Sequence, residues 1–279
     1  MIELPMSGKP DVLPPEHMLR GSHYWLLNTS GGKDSQTAMR RAVEVADQVG
    51  VDRRRLVAVH ADLGMMEWPG AKELAADHAK RYGLRFVVTK ARNKEGAEPS
   101  LLESIEKRGM WPDSVNRYCT SDFKRGPIRR VITMLQREAG CYCTFLNVMG
   151  MRADESPKRS KMLPFYRDDK ASSKNRGVYV WLPIHGWTAR QVWGDIHQSG
   201  VPYHRVYDMG MPRLSCKFCV FAPFEALVIA GREDPALLRE YVGVQRRTGH
   251  LFRHKFDLES VLRAVEAGDE TGRVSDWEM

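Results

Sequence analysis

The sequence predicts an α/β protein: a doubly wound, mostly parallel five-stranded sheet with a helical appendage towards its C-terminal end. Three observations carry this. Short runs rich in β-branched and aromatic residues alternate with stretches whose apolar residues recur at helical spacing. The runs are apolar on both faces, as in strands buried between two helix layers. Crossovers between parallel strands are right-handed, which winds such a sheet in both directions.

Residues 1–20 carry four prolines and no periodicity, and are expected to form an arm. Tyr24 to Thr29 reads as the first strand, and Ala38, Ala42, Val45, Ala46 and Val49 mark one face of the helix after it. Arg55 to His60 is a second strand. Leu74, Ala75, His78, Ala79 and Tyr82 mark a helix stopped at Gly83, and Leu84 to Thr89 is a third strand. A polar loop spans 93–99, and helical patterns cover about 100–108 and 122–138. Cys143 to Met149 is a fourth strand closing on Gly150. A charged, Ser-rich loop covers about 167–177, followed by a fifth strand, Val178 to Pro183, and a helix from Thr188. Beyond residue 200 only helices are expected, near 224–231, 235–247 and 257–267. The expected organisation is therefore an arm at 1–20, a nucleotide-binding domain at 21–200 and a Cys-x-x-Cys segment with helices at 201–279.

Charged residues at 28% and hydrophobic ones at 42% of 279 describe an ordinary globular chain. No apolar run approaches a membrane span and the N-terminus lacks a signal-peptide pattern, so a cytoplasmic location away from membranes is expected. A net charge of +8 suits a nucleic-acid or polyphosphate partner. Basic clusters fall at Arg53–Arg55, Arg129–Arg130, Lys158–Lys161 and Arg246–Arg247; each alone is more often a solvated face.

The run Ser30-Gly31-Gly32-Lys33-Asp34-Ser35 sits at the first strand-to-helix turn. There the backbone N–H groups and the positive end of the helix dipole meet a phosphate, the glycines admit close approach, and Lys33 adds charge. An exposed polar turn is the plain alternative. The spacing is not that of a Walker loop, which needs four residues between its first Gly and the Gly-Lys pair. The carboxyl ends of the strands gather this run, Asp62-Leu63-Gly64 and Gly150-Met151-Arg152 on one edge. Asp62 is placed to hold a ribose hydroxyl or a metal ion, or else to cap the next helix. Arg152 and Arg159 carry guanidinium forks suited to phosphate oxygens.

Ser30 to Ser35 resembles the PP-loop of the ATP pyrophosphatases. Four further segments resemble the phosphoadenosine-phosphosulfate-reductase-like branch: His60 to Gly64 with Glu67 to Gly70; Arg117 to Thr120 with Lys124 and Pro127; Gly150 to Ser156 with Arg159; and Ser215 to Cys219. Together they cover about 22–222. The resemblance implies an adenine nucleotide alpha hydrolase-like fold that binds ATP with Mg2+ through Ser30, Gly31, Gly32, Lys33, Asp34, Ser35, His60, Asp62, Gly150 and Arg152. Lys33, Asp34 and Arg152 would carry the chemistry, and Lys124 and Arg159 would meet the substrate.

Five cysteines without a secretory pattern argue for metal or redox chemistry where they cluster. Cys216-x-x-Cys219 has the spacing of a metal knuckle, a redox pair or chance. The resemblance implies Cys119 as a third ligand of a [4Fe–4S] cluster, with Tyr118 standing where iron–sulfur reductases of this branch carry another cysteine. Cys141 and Cys143 are expected to be core or near-surface thiols, and Cys141 is the candidate for a fourth ligand. No cysteine follows Cys219 in the Glu-Cys-Gly context that sulfonucleotide reductases use as a nucleophile.

These features suggest an ATP-dependent sulfurtransferase resembling the PP-loop component of bacterial DNA phosphorothioation systems. It would adenylate a nucleic-acid oxygen, DNA favoured over RNA, and receive sulfur from a cysteine desulfurase or another donor, with partner modification subunits. The rival expectations are a sulfonucleotide reductase, a tRNA thiolation enzyme and a non-catalytic zinc-bearing nucleic-acid-binding module.

Overall fold

The computed structural model describes residues 12–279 except 254, 273, 276, 278 and 279. Most of the expected arm lies outside these residues; within it, Glu16–Gly21 is a short helix that precedes the first strand. The sheet has six strands rather than five: β1 (Tyr24–Asn28), β2 (Leu56–Ala61), β3 (Arg85–Thr89), β4 (Cys143–Val148), β5 (Phe165–Arg167) and β6 (Arg176–Trp181). Their order is β3-β2-β1-β4-β6-β5. All neighbours are parallel except β5, which runs antiparallel to β6. β5 escaped the sequence reading because three residues are too few to show an alternation.

The chain divides into two compact units: the residues up to Ala61 with Gly70–Thr89 and Ile128–His204, and Asp62–Pro69 with Lys90–Pro127 and Arg205–Met279. A single cut near residue 200 therefore does not describe it. Two segments expected in the nucleotide-binding domain, 62–69 and 90–127, fold with the C-terminal helices.

In the first unit, alternation along the strands splits the core by sheet face. Trp25, Leu27, Leu56, Ala58, Leu146 and Val148 pack on Met39, Ala42 and Val43 of helix Lys33–Gln48. Leu26, Val57, Val59, Phe145 and Val178 pack on Val131, Ile132 and Leu135 of helix Gly126–Ala139. Burying one such side chain contributes about 1.5–3 kcal/mol, so the two faces supply most of the drive for this unit. Because β2 and β3 extend to one side of β1 and β4 and β6 to the other, the strand order reverses between β1 and β4. Ligands of doubly wound sheets bind outside the carboxyl ends of the strands at such a point. The loops after β1 and β4 are Ser30–Gly32 and Gly150–Arg152.

The second unit is built on helices Leu101–Arg108, Phe224–Glu233, Pro235–Thr248 and Leu258–Ala267 around Trp68, Trp111, Tyr241 and Phe252. Sequence signals set their ends. Ser100 and Glu103 form a capping box, Asp234 and Asp257 accept from first-turn amides, and Gly249 and Gly268 close two helices in the left-handed conformation.

Candidate nucleotide and thiol sites

The turn after β1 is shaped by glycine. Gly31 has φ +74°, and a Cβ there would meet the carbonyl oxygen of Ala71, so only glycine fits. Gly32 precedes helix Lys33–Gln48 with extended backbone, and the first intrahelical bond runs from the Gln36 amide to the Gly32 carbonyl at 3.0 Å. The amides of Lys33 to Ser35 thus lie ahead of the helical ladder, where anions bind. Ser35 Oγ donates to the Gly32 carbonyl at 2.8 Å and accepts from the Ser30 amide at 3.2 Å, which fixes the loop.

Gly150 brings the loop after β4 against the same helix start. A Cβ there would lie 2.6 Å from the carbonyl carbon of Asp34 and 2.8 Å from the Ser35 nitrogen. Two residues on, the buried Arg152 reaches Asp34: Nε donates to Oδ1 at 2.5 Å, and Nη1 donates to Asp154. Lys33, also buried, places Nζ 3.0 Å from the other oxygen of Asp34. Burial opposes the charge on Asp34, but Lys33 and Arg152 outweigh it and hold its pKa below the ordinary carboxylate value. Lys33, Asp34 and Arg152 are thus one unit, in which the carboxylate aligns two cations beside a helix N-terminus. Such an arrangement is suited to polyphosphate oxygens.

The remaining expected residues are placed differently. His60 is buried, and its Nδ1 donates to the Thr29 carbonyl at 3.0 Å, bracing the strand end that leads into the loop. Asp62 is not the cap of helix Ala71–Arg81, whose N-cap is Gly70; its Oδ1 accepts from the Gly64 amide at 2.7 Å, closing a local turn. Arg159, expected as a phosphate clamp, pairs with Glu155, while His185 Nε2 donates to the Arg159 carbonyl at 3.0 Å. Glu155 also accepts from the Arg152 amide at 2.9 Å. The supporting roles of Asp154 and His185 had no signal in the sequence; they arise from long-range loop packing.

The thiols gather in the second unit. Cys119, Cys216 and Cys219 act electrostatically on one another and on Lys124. Burial raises the pKa of Cys216, against the effect of Lys124, and burial with Cys216 alongside pushes Cys219 up to about 12. Lys124 is held in its charged form chiefly by Cys216, then Cys219, Cys119 and Glu67. This lysine therefore belongs to the thiol group, an association the sequence spacing did not reveal. Tyr118 is buried and donates its hydroxyl to the Met110 carbonyl at 2.6 Å, so it is spent on the backbone and the donor set stays at three thiols. Tyr241 packs on Phe218 and Trp111 in the same cluster. Cys141 lies in the first unit beside Cys143, ahead of β4.

All four basic clusters contain arginines paired with acids of the same chain, among them Arg129 with Asp168 and Arg159 with Glu155. Arg53 and Arg54 pair with Asp47 and Asp52, and Arg246 and Arg247 with Glu259 and Glu106. Lys158 and Lys161 are exposed beside the loop that carries Arg152. Among the described residues no helix is long and apolar enough to cross a membrane.

Comparison with known proteins places these sites in a family. Uncharacterized protein MJ0973 of Methanocaldococcus jannaschii is 27% identical over 88% of this chain and 52% of its own length. Adenosine 5'-phosphosulfate reductase of Geobacillus sp. is 28% identical over 43% of this chain and 46% of its own. The chain spans about half the length of the curated relatives it matches. A solved phosphoadenylyl-sulfate reductase of Candida auris aligns with a TM-score of 0.46 at 19% identity, over 73% of this chain and 88% of that one. The family model for the phosphoadenosine phosphosulfate reductase domain matches residues 25–222, which contain the PP-loop, the Arg152 loop and the three thiols. The chain belongs to the phosphoadenosine phosphosulfate reductase domain family, within the PP-loop superfamily.

Proposed function

We propose that the chain is an ATP-dependent sulfurtransferase that activates an oxygen of a nucleic-acid substrate, DNA backbone favoured, and replaces it with sulfur. The observation that carries the reading is the presence, in one chain, of a Lys33–Asp34–Arg152 anion site and a three-thiol set around Lys124. ATP, entering with Mg2+, lays its β- and γ-phosphates on the turn Gly31 to Ser35, where Lys33 and Arg152 offset their charge. A substrate oxygen attacks the α-phosphorus, the bond to the bridging oxygen breaks, and pyrophosphate leaves. A sulfide-level sulfur then attacks the activated centre, and AMP departs with the original oxygen.

Cys119, Cys216 and Cys219 suit a [4Fe–4S] cluster by donor chemistry, three thiolates leaving one iron without a protein ligand. When bound, the cluster would supply the capacity to handle inorganic sulfide. Lys124 contributes positive charge beside it. The exposed Lys158 and Lys161 offer contacts to backbone phosphates; a cysteine desulfurase would deliver persulfide sulfur, which a dithiol reductant brings to the sulfide level as it becomes a disulfide, and partner modification subunits would deliver the site.

The reading is tested by mass spectrometry of nuclease digests from cells with and without the gene. Loss of sulfur-bearing dinucleotides on deletion supports it. A second reading, sulfonucleotide reduction, is favoured by the adenosine 5'-phosphosulfate reductase relatives. If DNA and RNA keep their sulfur on deletion while adenylyl sulfate is reduced in vitro with thioredoxin, that reading replaces the first.

A further inference from the structure

His23, Cys141 and Cys143 bring their ligand atoms within 4.8 Å of one another, in a group separate from the residues assigned above. They meet at the amino ends of β1 and β4, the two central strands. His23 immediately precedes β1, Cys143 opens β4, and Cys141 lies two residues before it. The pairing of these strands fixes the corner: the His23 amide donates to the Thr144 carbonyl at 2.8 Å. Cys143 Sγ donates to the Cys141 carbonyl at 3.6 Å, which holds the two thiols side by side within 4.8 Å. Cys143 is fully buried and Cys141 is exposed, so the group is anchored on one side and open to solvent on the other.

His23 Nδ1 accepts from the Thr144 amide at 3.1 Å, which orients the ring with its Nδ1 lone pair toward the start of β4. Two thiols and one imidazole form a soft-to-borderline donor set, which selects zinc over magnesium or calcium and leaves a fourth position for water.

We propose that His23, Cys141 and Cys143 form a zinc site that clips the amino ends of β1 and β4 together. On binding, two S–H bonds break, two Zn–S bonds and one Zn–N bond form, and two protons pass to solvent. The zinc takes over the Nδ1 lone pair, and the hydrogen bond from the Thr144 amide is given up. The site lies at the opposite ends of the strands whose carboxyl ends carry the PP-loop and the Gly150 loop, about 17 Å along the sheet. It is therefore structural, holding in register the two strands that aim those loops.

The test uses the full chain, tag removed, reduced and loaded with zinc chloride alone, then passed through gel filtration in metal-free buffer. Zinc per chain is compared with that of Cys141→Ser and His23→Gln. Cys141 is exposed, and the glutamine amide oxygen can still accept from Thr144, so both variants are expected to keep the fold, checked by circular dichroism. The expected result is one zinc equivalent lost in each variant and retained in Cys216→Ser. Cobalt loading should give a thiolate charge-transfer band that Cys141→Ser weakens. Equal zinc in wild type and both variants, or zinc lost only in Cys216→Ser, overturns the proposal.

Discussion

Replacing Gly150 by alanine drives apart the two loops that meet at the switch point. The new Cβ would stand 2.6 Å from the Asp34 carbonyl carbon and 2.8 Å from the Ser35 nitrogen, against 3.4–4 Å for ordinary contact. These are backbone atoms, so no side chain can swing aside, and the loops must part by roughly an ångström. Overpacking of this kind costs about 1–3 kcal/mol, which lowers Tm by about 3–9 °C for a domain of this size. The same displacement pulls Arg152 off Asp34 and turns the first-turn amides away from a phosphate, so ATP affinity should fall about tenfold or more, or at least 1.4 kcal/mol. Thermal unfolding and calorimetric titration with Mg·ATP measure both effects. Gly194→Ala is the control: its Cβ meets nothing within 4 Å, and alanine in that helix interior should stabilise by about 0.5–1 kcal/mol. A Gly150→Ala protein with unchanged Tm and unchanged ATP affinity would refute the reasoning.

Asp34→Asn should destabilise by about 3 kcal/mol at neutral pH, measured by urea unfolding, because it removes the carboxylate charge that faces both buried Lys33 and Arg152 while Arg152 keeps Asp154. The folded-state pKa of Asp34 is depressed, so its contribution is present above the ordinary value of 3.8 and is lost as pH falls through the lower folded value; the gap between wild type and variant should close in acid. Asp195 behaves oppositely: burial raises its pKa from 3.8 to about 6 despite Arg40 at 2.8 Å. Its stabilising contribution is present below 3.8 and is lost as pH rises through about 6, so wild-type stability should fall by roughly 2–3 kcal/mol across that window. Asp195→Asn should flatten the profile in the same urea assay. Anaerobically purified Cys119→Ala, Cys216→Ala and Cys219→Ala should lose iron and visible absorbance, while Cys141→Ala and Cys143→Ala retain both; the reverse pattern would remove the three-thiol assignment.

Much of the fold was legible because each signal is local. The two-sided apolar runs from Tyr24 and from Cys143 read directly as β1 and β4, and the helices near 224, 235 and 257 start and stop close to where their caps place them. Gly31 and Gly150 were legible as loop residues, but their close approaches to Ala71 and Asp34 belong to tertiary packing. Long-range pairing also hid the tie between Asp34 and Arg152, 118 residues apart, and the commitment of Arg159 to Glu155. The gathering of 62–69 and 90–127 with the C-terminal helices rests on Trp68, Trp111 and Phe123 joining a common core, which no periodicity announces. His23 with Cys141 and Cys143 was invisible for a similar reason: strand register, not sequence spacing, brings them together.

The central claim, that Lys33, Asp34 and Arg152 present a nucleotide for cleavage between its α- and β-phosphates, is tested most directly by phosphorus NMR of ATP turned over with DNA and a sulfide source. AMP and pyrophosphate should accumulate in equal amounts and should be absent with Arg152→Ala. ADP and orthophosphate as the only products would contradict it.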